Sequence, residues 1–259
     1  MIEKTEAIAL RVSPFAQTSP VVSWLTPARG KIATLSKGAC RPKSPLLGQY
    51  DAFYTCEILY YQAARADLHV LKECSPLDAR PRFRADWRAA FSASYLCGLV
   101  SSVSLPHHRQ PEIYRLLRII LDFLCRHGGS HQAVLWTELE LAHALGFAPR
   151  LRACATCGRS LGQADSARFS IARWGLLCAR CARHENNGIA LTADAVSILR
   201  AWQAAPSPHA ARNTKLSPPQ AAQLRDLLGL FLNYHVHPRI IGESRRITFQ
   251  MLRHTAANS

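Results

Sequence analysis

A chain of 259 residues, 48% hydrophobic and 19% charged, is long enough to bury one sizeable core or two to three small ones. It has no run of about eighteen apolar residues, and its start, MIEKTEAIAL, lacks the basic and apolar stretches of a signal peptide, so we expect a cytoplasmic protein without a membrane span. A formal net charge of +15 favours a polyanionic partner such as nucleic acid, with solubility or an acidic protein partner as the alternatives.

The first 75 or so residues contain the short apolar, aromatic and β-branched runs of β-strands, with no long helical pattern among them. Thr26-Pro-Ala-Arg-Gly30 has the composition of a hairpin connection, and Ser75-Pro76 is expected to end the last strand. Five strands in this length favour a small closed barrel such as the OB-fold. The predicted strands cover residues 7–12, 21–25, 31–36, 50–61 and 68–73.

A helical pattern replaces the strand pattern from about residue 85 onward. Apolar residues recur at spacings of three and four, and proline or paired glycines interrupt the pattern twice. Such helices must pack on one another to bury their apolar faces. The predicted helices cover residues 86–103, 112–126 and 132–145.

Helices are expected again near the C-terminus. Thr192 is suited to cap a helix that runs through Trp202. Ser217-Pro-Pro-Gln220 combines a cap, a first-turn proline and a capping-box glutamine, and it predicts a helix that ends near His237-Pro238. Residues 204–214, rich in Pro, Ala and Ser, predict a loop between the two helices.

Two C-x-x-C pairs, Cys154-Ala-Thr-Cys157 and Cys178-Ala-Arg-Cys181, are separated by twenty residues. This spacing is typical of two turns that converge on one tetrahedral zinc ion. Because four thiolates leave no position open for water, the sequence predicts one structural zinc per chain, stabilising an insert too small for its own core. Gly158 supplies the conformational freedom that such a turn favours. A thiol redox pair and reduced structural cysteines are the alternatives.

The remaining features of the cysteine-rich insert receive plainer interpretations. Short strands are expected at residues 168–171 and 175–178. His184 is a possible substitute ligand, although an exposed basic histidine is the more usual role at this position. The other cysteines are interpreted as small apolar fillers of strands and helices: Cys40, Cys56, Cys74, Cys97 and Cys125.

The segment between Glu6 and Asp51 contains no carboxylate. A local excess of cations predicts contact with phosphates, and an ordinary solvated surface is the alternative. The predicted DNA-binding residues are Arg29 and Lys31, beside the hairpin tip, and Lys37, Arg41 and Lys43 in the loop that follows. Nearby aromatic residues could stack on unpaired bases, although filling the barrel is the more usual role of each. They are Phe15, Trp24, Tyr50 and Phe53.

Together these patterns predict an α+β protein of several domains. An N-terminal five-stranded OB-fold β-barrel precedes a central and C-terminal helical bundle, into which a zinc module with four cysteine ligands is inserted. The predicted divisions are an OB-fold DNA-binding domain at residues 1–78, a helical domain at 79–150, the zinc module at 151–187, and C-terminal helices at 188–259 that pack on the helical domain.

Several stretches spread over nearly the whole chain share one resemblance. They are AIALRVSPFAQTS at residues 7–19, Leu25-Thr26, Gly30-Lys31, KGACRPKS at 37–44, ELELAHALGF at 138–147, CATCG at 154–158 and GESR at 242–245. Together they resemble the RecO family of recombination mediators. The fold that this resemblance implies, an OB-fold with a helical bundle and a zinc module, agrees with the fold predicted from the residue patterns.

The resemblance also implies a function and partners. Members of such a family are expected to bind single- and double-stranded DNA, to anneal complementary strands, and to work with RecR in loading RecA onto DNA covered by single-strand-binding protein. It places the protein at the nucleoid and leaves a direct contact with single-strand-binding protein open. The sequence departs from the family at two places. Where the family often has an arginine before Phe-Glu, in the region that docks the tail of single-strand-binding protein, this chain has Leu135-Trp136-Thr137-Glu138. In the terminal motif, Glu243 replaces a lysine.

No motif in the sequence favours an enzyme. The chain has no G-x-x-x-x-G-K-[ST] phosphate loop, no H-E-x-x-H zinc motif and no carboxylate cluster suited to catalytic magnesium, so we expect a non-enzymatic protein. The alternative function is a generic single-stranded DNA- or RNA-binding OB-fold protein with a zinc ribbon and no mediator activity. A mediator should anneal complementary strands, whereas a passive binder should block their pairing.

Overall fold

The computed structural model describes residues 1–63, 67–162, 167–185, 188–205, 207–235 and 238–253. The chain divides into two compact units, Met1–Gly129 and Ser130–Ser259. Among the described residues, no helix combines the length and the apolar character needed to cross a membrane. The finer division into four domains remains a prediction.

A closed barrel of five strands forms the N-terminal part of the first unit. The strands are β1 (Ile2–Ala16), β2 (Ser19–Thr26), β3 (Gly30–Leu35), β4 (Thr55–Tyr61) and β5 (Leu68–Asp78). Their order is β1-β2-β3-β5-β4, and every neighbouring pair is antiparallel except β3 and β5, which are parallel. Because the long β1 pairs with both β2 and β4, the β3–β5 contact closes the barrel. The predicted five-stranded OB-fold barrel is confirmed.

Alternate side chains of the strands fill the barrel interior. In β3, buried and half-buried residues alternate along the whole strand, as the two-residue period of a strand requires. Trp24 on β2 is fully buried, and its indole Nε1–H donates a 2.9 Å hydrogen bond to Thr34 Oγ1 on β3. This bond avoids the penalty of about 1–3 kcal/mol for an unpaired buried donor.

Two helices, α1 (Trp87–Val103) and α2 (Pro111–His127), follow the barrel after a short 3₁₀ turn at Pro81–Arg84. The carboxylate of Asp86 accepts hydrogen bonds from the N–H groups of Arg88 and Ala89, so Asp86 caps the start of α1. Pro111 occupies the first turn of α2, where its missing N–H costs nothing, and Gly128 follows the last turn. Both helices lie where the apolar spacing predicts them.

A buried arginine connects the barrel to α2. Arg80 is only 2% exposed. Its Nε donates a 2.8 Å bond to a carboxylate oxygen of Asp122 on α2, and its Nη1 donates to the Thr55 hydroxyl and the Phe53 carbonyl. A buried guanidinium without partners would be strongly destabilising. These bonds therefore hold α2 against the start of β4.

The second unit combines helices with a small sheet. Its elements are α3 (His131–Ala144), β6 (Ala167–Ser170), β7 (Gly175–Leu177), α4 (Ala179–Ala182), β8 (Gly188–Leu191), α5 (Ala193–Ala204), α6 (Pro208–Asn213), α7 (Pro218–His235) and α8 (Pro238–Arg253). Strand β6 lies between β7 and β8 and is antiparallel to both. Trp136, Trp202 and Phe231 are fully buried. The core of this unit therefore lies where α3, α5 and α7 meet.

Several predicted strand boundaries in the barrel are wrong. Strand β1 (Ile2–Ala16) extends beyond the predicted residues 7–12 at both ends. Strand β4 begins at Thr55, and residues 50–54 lie in turns and coil. Strand β5 continues through Pro76 to Asp78 instead of ending at the proline. Pro76 lies opposite Cys56, beside an irregularity in the β4–β5 ladder. A proline fits a strand at such a position because the ladder there does not need its N–H.

The prediction of a loop over residues 204–214 is also wrong, because this stretch contains α6. The Ser207 hydroxyl accepts a hydrogen bond from the N–H of His209, and Pro208 occupies the first helical turn. A serine cap followed by proline is a helix-start signal, which the Pro- and Ala-rich composition obscured.

The predicted capping box of α7 is present. The Ser217 hydroxyl accepts a bond from the Gln220 N–H, and the Gln220 side chain accepts one from the Ser217 N–H. Reciprocal bonds of this kind satisfy two N–H groups that have no partner within the helix. Helix α7 ends at His235, and the predicted end near His237-Pro238 falls partly at residues 236–237, outside the described residues.

Candidate metal centre and nucleic-acid interface

The four cysteines of the two C-x-x-C pairs converge at one point of the second unit. The Sγ atoms of Cys154, Cys157, Cys178 and Cys181 all lie within 4.8 Å of one another, and those of Cys157 and Cys178 are 3.8 Å apart. Zinc–sulfur bonds of about 2.3 Å in a tetrahedron place the sulfurs about 3.8 Å from each other. The cluster therefore has the donor atoms and the spacing to hold one metal ion.

Backbone hydrogen bonds shape the turn that carries the first pair. The Cys154 N–H donates to the Arg159 carbonyl at 2.8 Å, and the Gly158 N–H donates to the Cys154 carbonyl at 2.9 Å. Gly158 has a φ of 74°, in the left-handed region that a residue with a Cβ adopts only at a cost. The glycine after the first pair thus has the role that the sequence predicts.

The second pair lies at the start of the short helix α4. Cys178 is its N-cap, and the Cys178 carbonyl accepts a 2.9 Å bond from the Ala182 N–H. This single helical turn places Cys181 on the same side as Cys178. We call the turn that carries Cys154 and Cys157 the first knuckle, and the start of α4 with Cys178 and Cys181 the second knuckle. The two knuckles present four sulfurs to a common centre.

Backbone N–H groups prepare part of this cluster to carry negative charge. Burial opposes ionisation of the Cys154 thiol, but hydrogen bonds from the N–H groups of Cys157, Cys178 and Thr156 outweigh it and lower its pKa to about 6. The N–H of Cys181 lowers the pKa of Cys178 as well. The neighbouring sulfur of Cys178 raises the pKa of Cys181 to about 12. Ionising all four thiols together therefore needs a cation among them.

The scattered cysteines have mixed environments. Cys56, Cys74 and Cys97 are buried and Cys125 is half-buried, as expected of apolar fillers. The same interpretation is wrong for Cys40, which is exposed. Its backbone N–H donates to the Thr18 carbonyl, so the backbone of Cys40 holds the loop to the hairpin while the residue stays exposed. The nine cysteines are free in this structure, and His184 is an exposed residue outside the four-sulfur cluster.

Contacts with α5 and α7 anchor the cysteine-rich part of the second unit, residues 150–185, which we call the metal module. Arg200 of α5 donates two hydrogen bonds, of 2.9 and 2.7 Å, to the Leu151 carbonyl at the start of the module. The ring of Trp174 lies 4.2 Å from the ring of Phe231 on α7, centre to centre. Gly175 meets Arg150 so closely that a Cβ would lie 2.8 Å from the Arg150 Cβ. The module therefore depends on both the metal site and this packing.

The five cations predicted to bind DNA fall into two groups. Arg29 forms an ion pair with Glu3 on β1, and the Lys31 ammonium donates a 2.6 Å hydrogen bond to the Ser101 carbonyl near the end of α1. Gly30, which lies between these two cations, packs against the Leu105 carbonyl so closely that a Cβ would not fit. Arg29 and Lys31 thus make structural contacts at the hairpin tip.

The other three cations lie in an ordered loop after β3, which we call the basic loop (residues 36–49). Its turns are held by hydrogen bonds to the β1–β2 hairpin, from the Gly38 N–H to the Ser19 hydroxyl and from the Cys40 N–H to the Thr18 carbonyl. Ala39 and Leu46 are buried and anchor it to the barrel core. Lys37, Arg41 and Lys43 are exposed, and no described carboxylate lies within 4.0 Å of their charged groups.

The four aromatic residues near this loop differ in exposure. Trp24 is fully buried, and Tyr50 packs edge-on against it, so both belong to the barrel core. Phe53 is half-buried and contacts Phe83. Phe15 is 66% exposed near the end of β1, on the hairpin to which the basic loop is bonded. Of the four, Phe15 has the accessible ring that base stacking requires.

A buried ion pair that sequence reasoning missed joins two of the stretches that carry the family resemblance. Glu138 on α3 is fully buried, and its two carboxylate oxygens accept bonds of 2.8 Å from Arg245 on α8. Arg245 also donates to the Arg225 carbonyl. Trp136 and Thr137 beside Glu138 are buried as well, so this stretch serves packing. A carboxylate flanked by apolar residues within a helix is the signal that could have predicted a buried partner.

The barrel, the helices and the four-cysteine cluster define an OB-fold protein with a metal module. The profile described as "Recombination protein O N terminal" matches residues 1–80, and "Recombination protein O C terminal" matches residues 84–241. The chain belongs to the RecO family of DNA repair proteins.

Proteins named "DNA repair protein RecO" are similar over most of their length. The protein of Anaeromyxobacter sp. (strain K) is 28% identical over 237 residues, 92% of each chain. That of Roseiflexus sp. (strain RS-1) is 30% identical over 233 residues, 90% of this chain and 81% of its own. That of Exiguobacterium sp. (strain ATCC BAA-1283 / AT1b) is 26% identical over 253 residues, 98% of each.

Proposed function

We propose that this protein binds single- and double-stranded DNA and anneals complementary strands without nucleotide hydrolysis. The observation that carries this proposal is the basic loop, whose exposed cations lack carboxylate partners among the described residues. A cation paired with a carboxylate must break that pair to bind phosphate, whereas Lys37, Arg41 and Lys43 need not. Such cations release counterions from DNA without reading its sequence.

Arg29 and Lys31 contribute to this surface in a secondary way. Their charged groups already contact Glu3 and Ser101, so a phosphate must compete with these partners. Phe15, exposed beside the basic loop, supplies a ring on which an unpaired base can stack, for about 1–3 kcal/mol per base. The single-stranded form of DNA gains this contact, and both forms gain the phosphate contacts.

The metal of the module is proposed to be zinc in a structural role. Four thiolates at tetrahedral spacing are the donor set of structural zinc sites, and they leave no position for a substrate or water. In this arrangement the ion stabilises the module and takes no part in a reaction. The protein is therefore proposed to act without enzymatic activity.

The recombination setting is proposed from family membership. RecO relatives are DNA repair proteins by name. As a mediator, the protein is proposed to work with RecR and to help load the recombinase RecA onto strands covered by single-strand-binding protein. The cations and the two compact units supply the capacity to hold two polyanionic strands, which raises their effective concentration.

An annealing assay tests the proposal. Labelled complementary oligonucleotides, bare or coated with single-strand-binding protein, are mixed with the unmodified protein, with K37Q/R41Q/K43Q, and with the control K4Q/K72Q/R115Q. The control removes the same number of exposed cations elsewhere in the first unit. We expect annealing without ATP, a loss of about tenfold or more in DNA affinity for the loop variant, and little change for the control.

Three outcomes would contradict this proposal in different ways. Annealing no faster than the spontaneous rate would indicate a passive single-strand-binding protein. Strict dependence on ATP would indicate an enzyme. Equal affinities for the loop variant and its control would place the DNA-binding surface away from the basic loop.

A further inference from the structure

A second set of exposed cations surrounds the four-cysteine cluster. Residues 150–185 contain seven arginines and no lysine, against two acidic residues, Asp165 and Glu185. The Glu185 carboxylate accepts a hydrogen bond from the Ser170 hydroxyl. All seven arginines are exposed, and no described carboxylate lies within 4.0 Å of any of them. The seven are Arg150, Arg152, Arg159, Arg168, Arg173, Arg180 and Arg183.

Four of these arginines have a regular relation to the metal ligands. Arg152 precedes Cys154 by two residues, and Arg159 follows Cys157 by two. Arg180 and Arg183 follow Cys178 and Cys181 by two in the same way. Each ligand therefore has its own arginine at the same separation. We call these four residues the knuckle arginines.

The backbone of the module brings the knuckle arginines close together. The Arg152 carbonyl accepts a 2.9 Å bond from the Leu161 N–H, and the Arg159 carbonyl accepts one from the Cys154 N–H, so the two lie on paired segments of one turn. Arg180 lies inside the second pair of ligands, on α4. Since the four sulfurs lie within 4.8 Å of each other, the backbone of each knuckle arginine lies two residues from the same centre.

The charge of the cluster itself does not account for this number of arginines. A zinc ion with four thiolates carries a net charge of about minus two, which two cations would balance. The knuckle arginines alone supply twice that charge, and the other module arginines add to it. The surplus is positive and faces solvent.

From these observations we propose that the knuckle arginines form a second binding surface for the phosphodiester backbone of nucleic acid, separate from the basic loop. Arginine favours this ligand because its planar guanidinium donates two parallel hydrogen bonds to one phosphate. This inference extends the proposed DNA-binding function and rests on it.

The surface is also conditional on the metal. Backbone hydrogen bonds such as that from the Ala155 N–H to the Leu176 carbonyl already join the first knuckle to the strand before the second, and a shared ion would tie the two knuckles together at the sulfurs as well. Loss of the ion should therefore loosen the arrangement of the two arginine pairs and weaken their combined charge. The metal thereby organises a polyanion-binding surface without contacting the ligand.

The test measures DNA affinity against salt concentration for the full-length protein in metal-loaded form. The variants are R152Q/R159Q/R180Q/R183Q, the loop variant K37Q/R41Q/K43Q, and the control K4Q/K72Q/R109Q/R115Q, which removes four dispersed exposed cations. We expect the knuckle variant to lose about tenfold or more in affinity for single-stranded DNA and about two to three units of salt slope. Metal content and melting temperature should match the unmodified protein, because the altered side chains lie on the surface.

A second measurement separates a binding role from simple neutralisation of the cluster. Stripping the metal should reduce the salt slope of the unmodified protein and leave that of the knuckle variant nearly unchanged. If the knuckle variant binds DNA as the control does, the inference is overturned and the proposed function stands. If instead it loses metal while its salt slope stays the same, the arginines serve the metal site alone and the inference is likewise overturned.

The loop variant keeps the two proposals distinguishable. A normal loop variant beside a defective knuckle variant would overturn the role of the basic loop while supporting the second surface. An unmodified protein that binds neither single- nor double-stranded DNA would overturn the proposed function, and the inference with it.

Discussion

The basic loop and the knuckle arginines present similar exposed cations by different physical means. In the basic loop, hydrogen bonds to the β1–β2 hairpin and the buried side chains of Ala39 and Leu46 hold the backbone in place. The cations there follow from the same packing that stabilises the barrel. In the module, backbone bonds such as that from the Ala155 N–H to the Leu176 carbonyl join the two knuckles, and the four sulfurs add a site suited to one metal ion. One surface is therefore held by packing alone, and the other is proposed to depend on a bound metal as well.

This difference predicts that the two surfaces respond differently to the same treatment. Conditions that remove metal should affect the second unit and spare the first. Changes in buried polar pairs should destabilise the unit that contains each pair, whatever the metal content. Hydrogen exchange and thermal unfolding can follow the two units separately.

Removal of the metal is expected to have the largest effect. Structural zinc sites contribute about 10–16 kcal/mol of apparent binding free energy, which exceeds the roughly 1.5–3 kcal/mol that each buried apolar side chain of the module, such as Phe169 or Leu176, supplies. Chelation should abolish hydrogen-exchange protection in the module and leave that of the barrel within about 0.5 kcal/mol of its original value. Protection in the module that survives complete metal removal, verified by elemental analysis, would contradict a structural site.

The buried pair between Glu138 and Arg245 should rank next. Glu138→Gln leaves the Arg245 guanidinium without its carboxylate, and breaking a buried pair from one side costs about 3–5 kcal/mol. The melting temperature of the second unit should fall accordingly, with metal content unchanged. Glu243→Gln, at an exposed position of α8, is the control and should change stability by less than about 0.5 kcal/mol. Equal effects would show that the buried pair contributes nothing specific.

The corresponding pair in the first unit should have a smaller effect. Asp122→Asn removes the charge that faces Arg80, but the Asp122 side chain is 28% exposed, so water partly compensates. We expect a loss of about 2–3 kcal/mol in the stability of the first unit. The control Asp51→Asn alters an exposed pair with Arg84 and should cost less than about 1 kcal/mol. A larger loss in the second unit than in the first would contradict the assignment of Arg80 to the barrel.

The smallest effects are expected at two glycines that have the same role in the two surfaces. Gly158 and Gly38 have φ values of 74° and 64°, so alanine at either position should cost about 1 kcal/mol. Gly158→Ala should weaken metal binding and leave the basic loop unaffected. Gly38→Ala, whose Cβ would lie 3.4 Å from the Arg41 side chain, should weaken DNA binding at unchanged metal content. The reverse result, in which Gly158→Ala weakens the basic loop and Gly38→Ala weakens metal binding, would contradict the claim that the two surfaces are held independently.

The sequence predicted the features that depend on local pattern. The barrel strands, the helices α1 and α2 and the cysteine quartet follow from alternation, three- and four-residue spacing and C-x-x-C pairs, all readable within short windows. The two buried pairs were not predicted, because Arg80 and Asp122 are 42 residues apart and Glu138 and Arg245 are 107 apart. The sequence also did not show which of the predicted cations have partners, since Arg29 meets Glu3 on β1 and Lys31 meets Ser101 on α1 only in the folded unit.

The pairing of β1 with both β2 and β4 also determines when the barrel can form. Ile2 pairs with Tyr61, and Ala33 pairs with Leu68, so the barrel cannot close until the ribosome has released strand β5. Contacts between such distant residues slow folding. The four ligand cysteines, by contrast, lie within 28 residues of sequence. During refolding from denaturant in the presence of metal, the cysteine cluster should therefore form before the barrel closes.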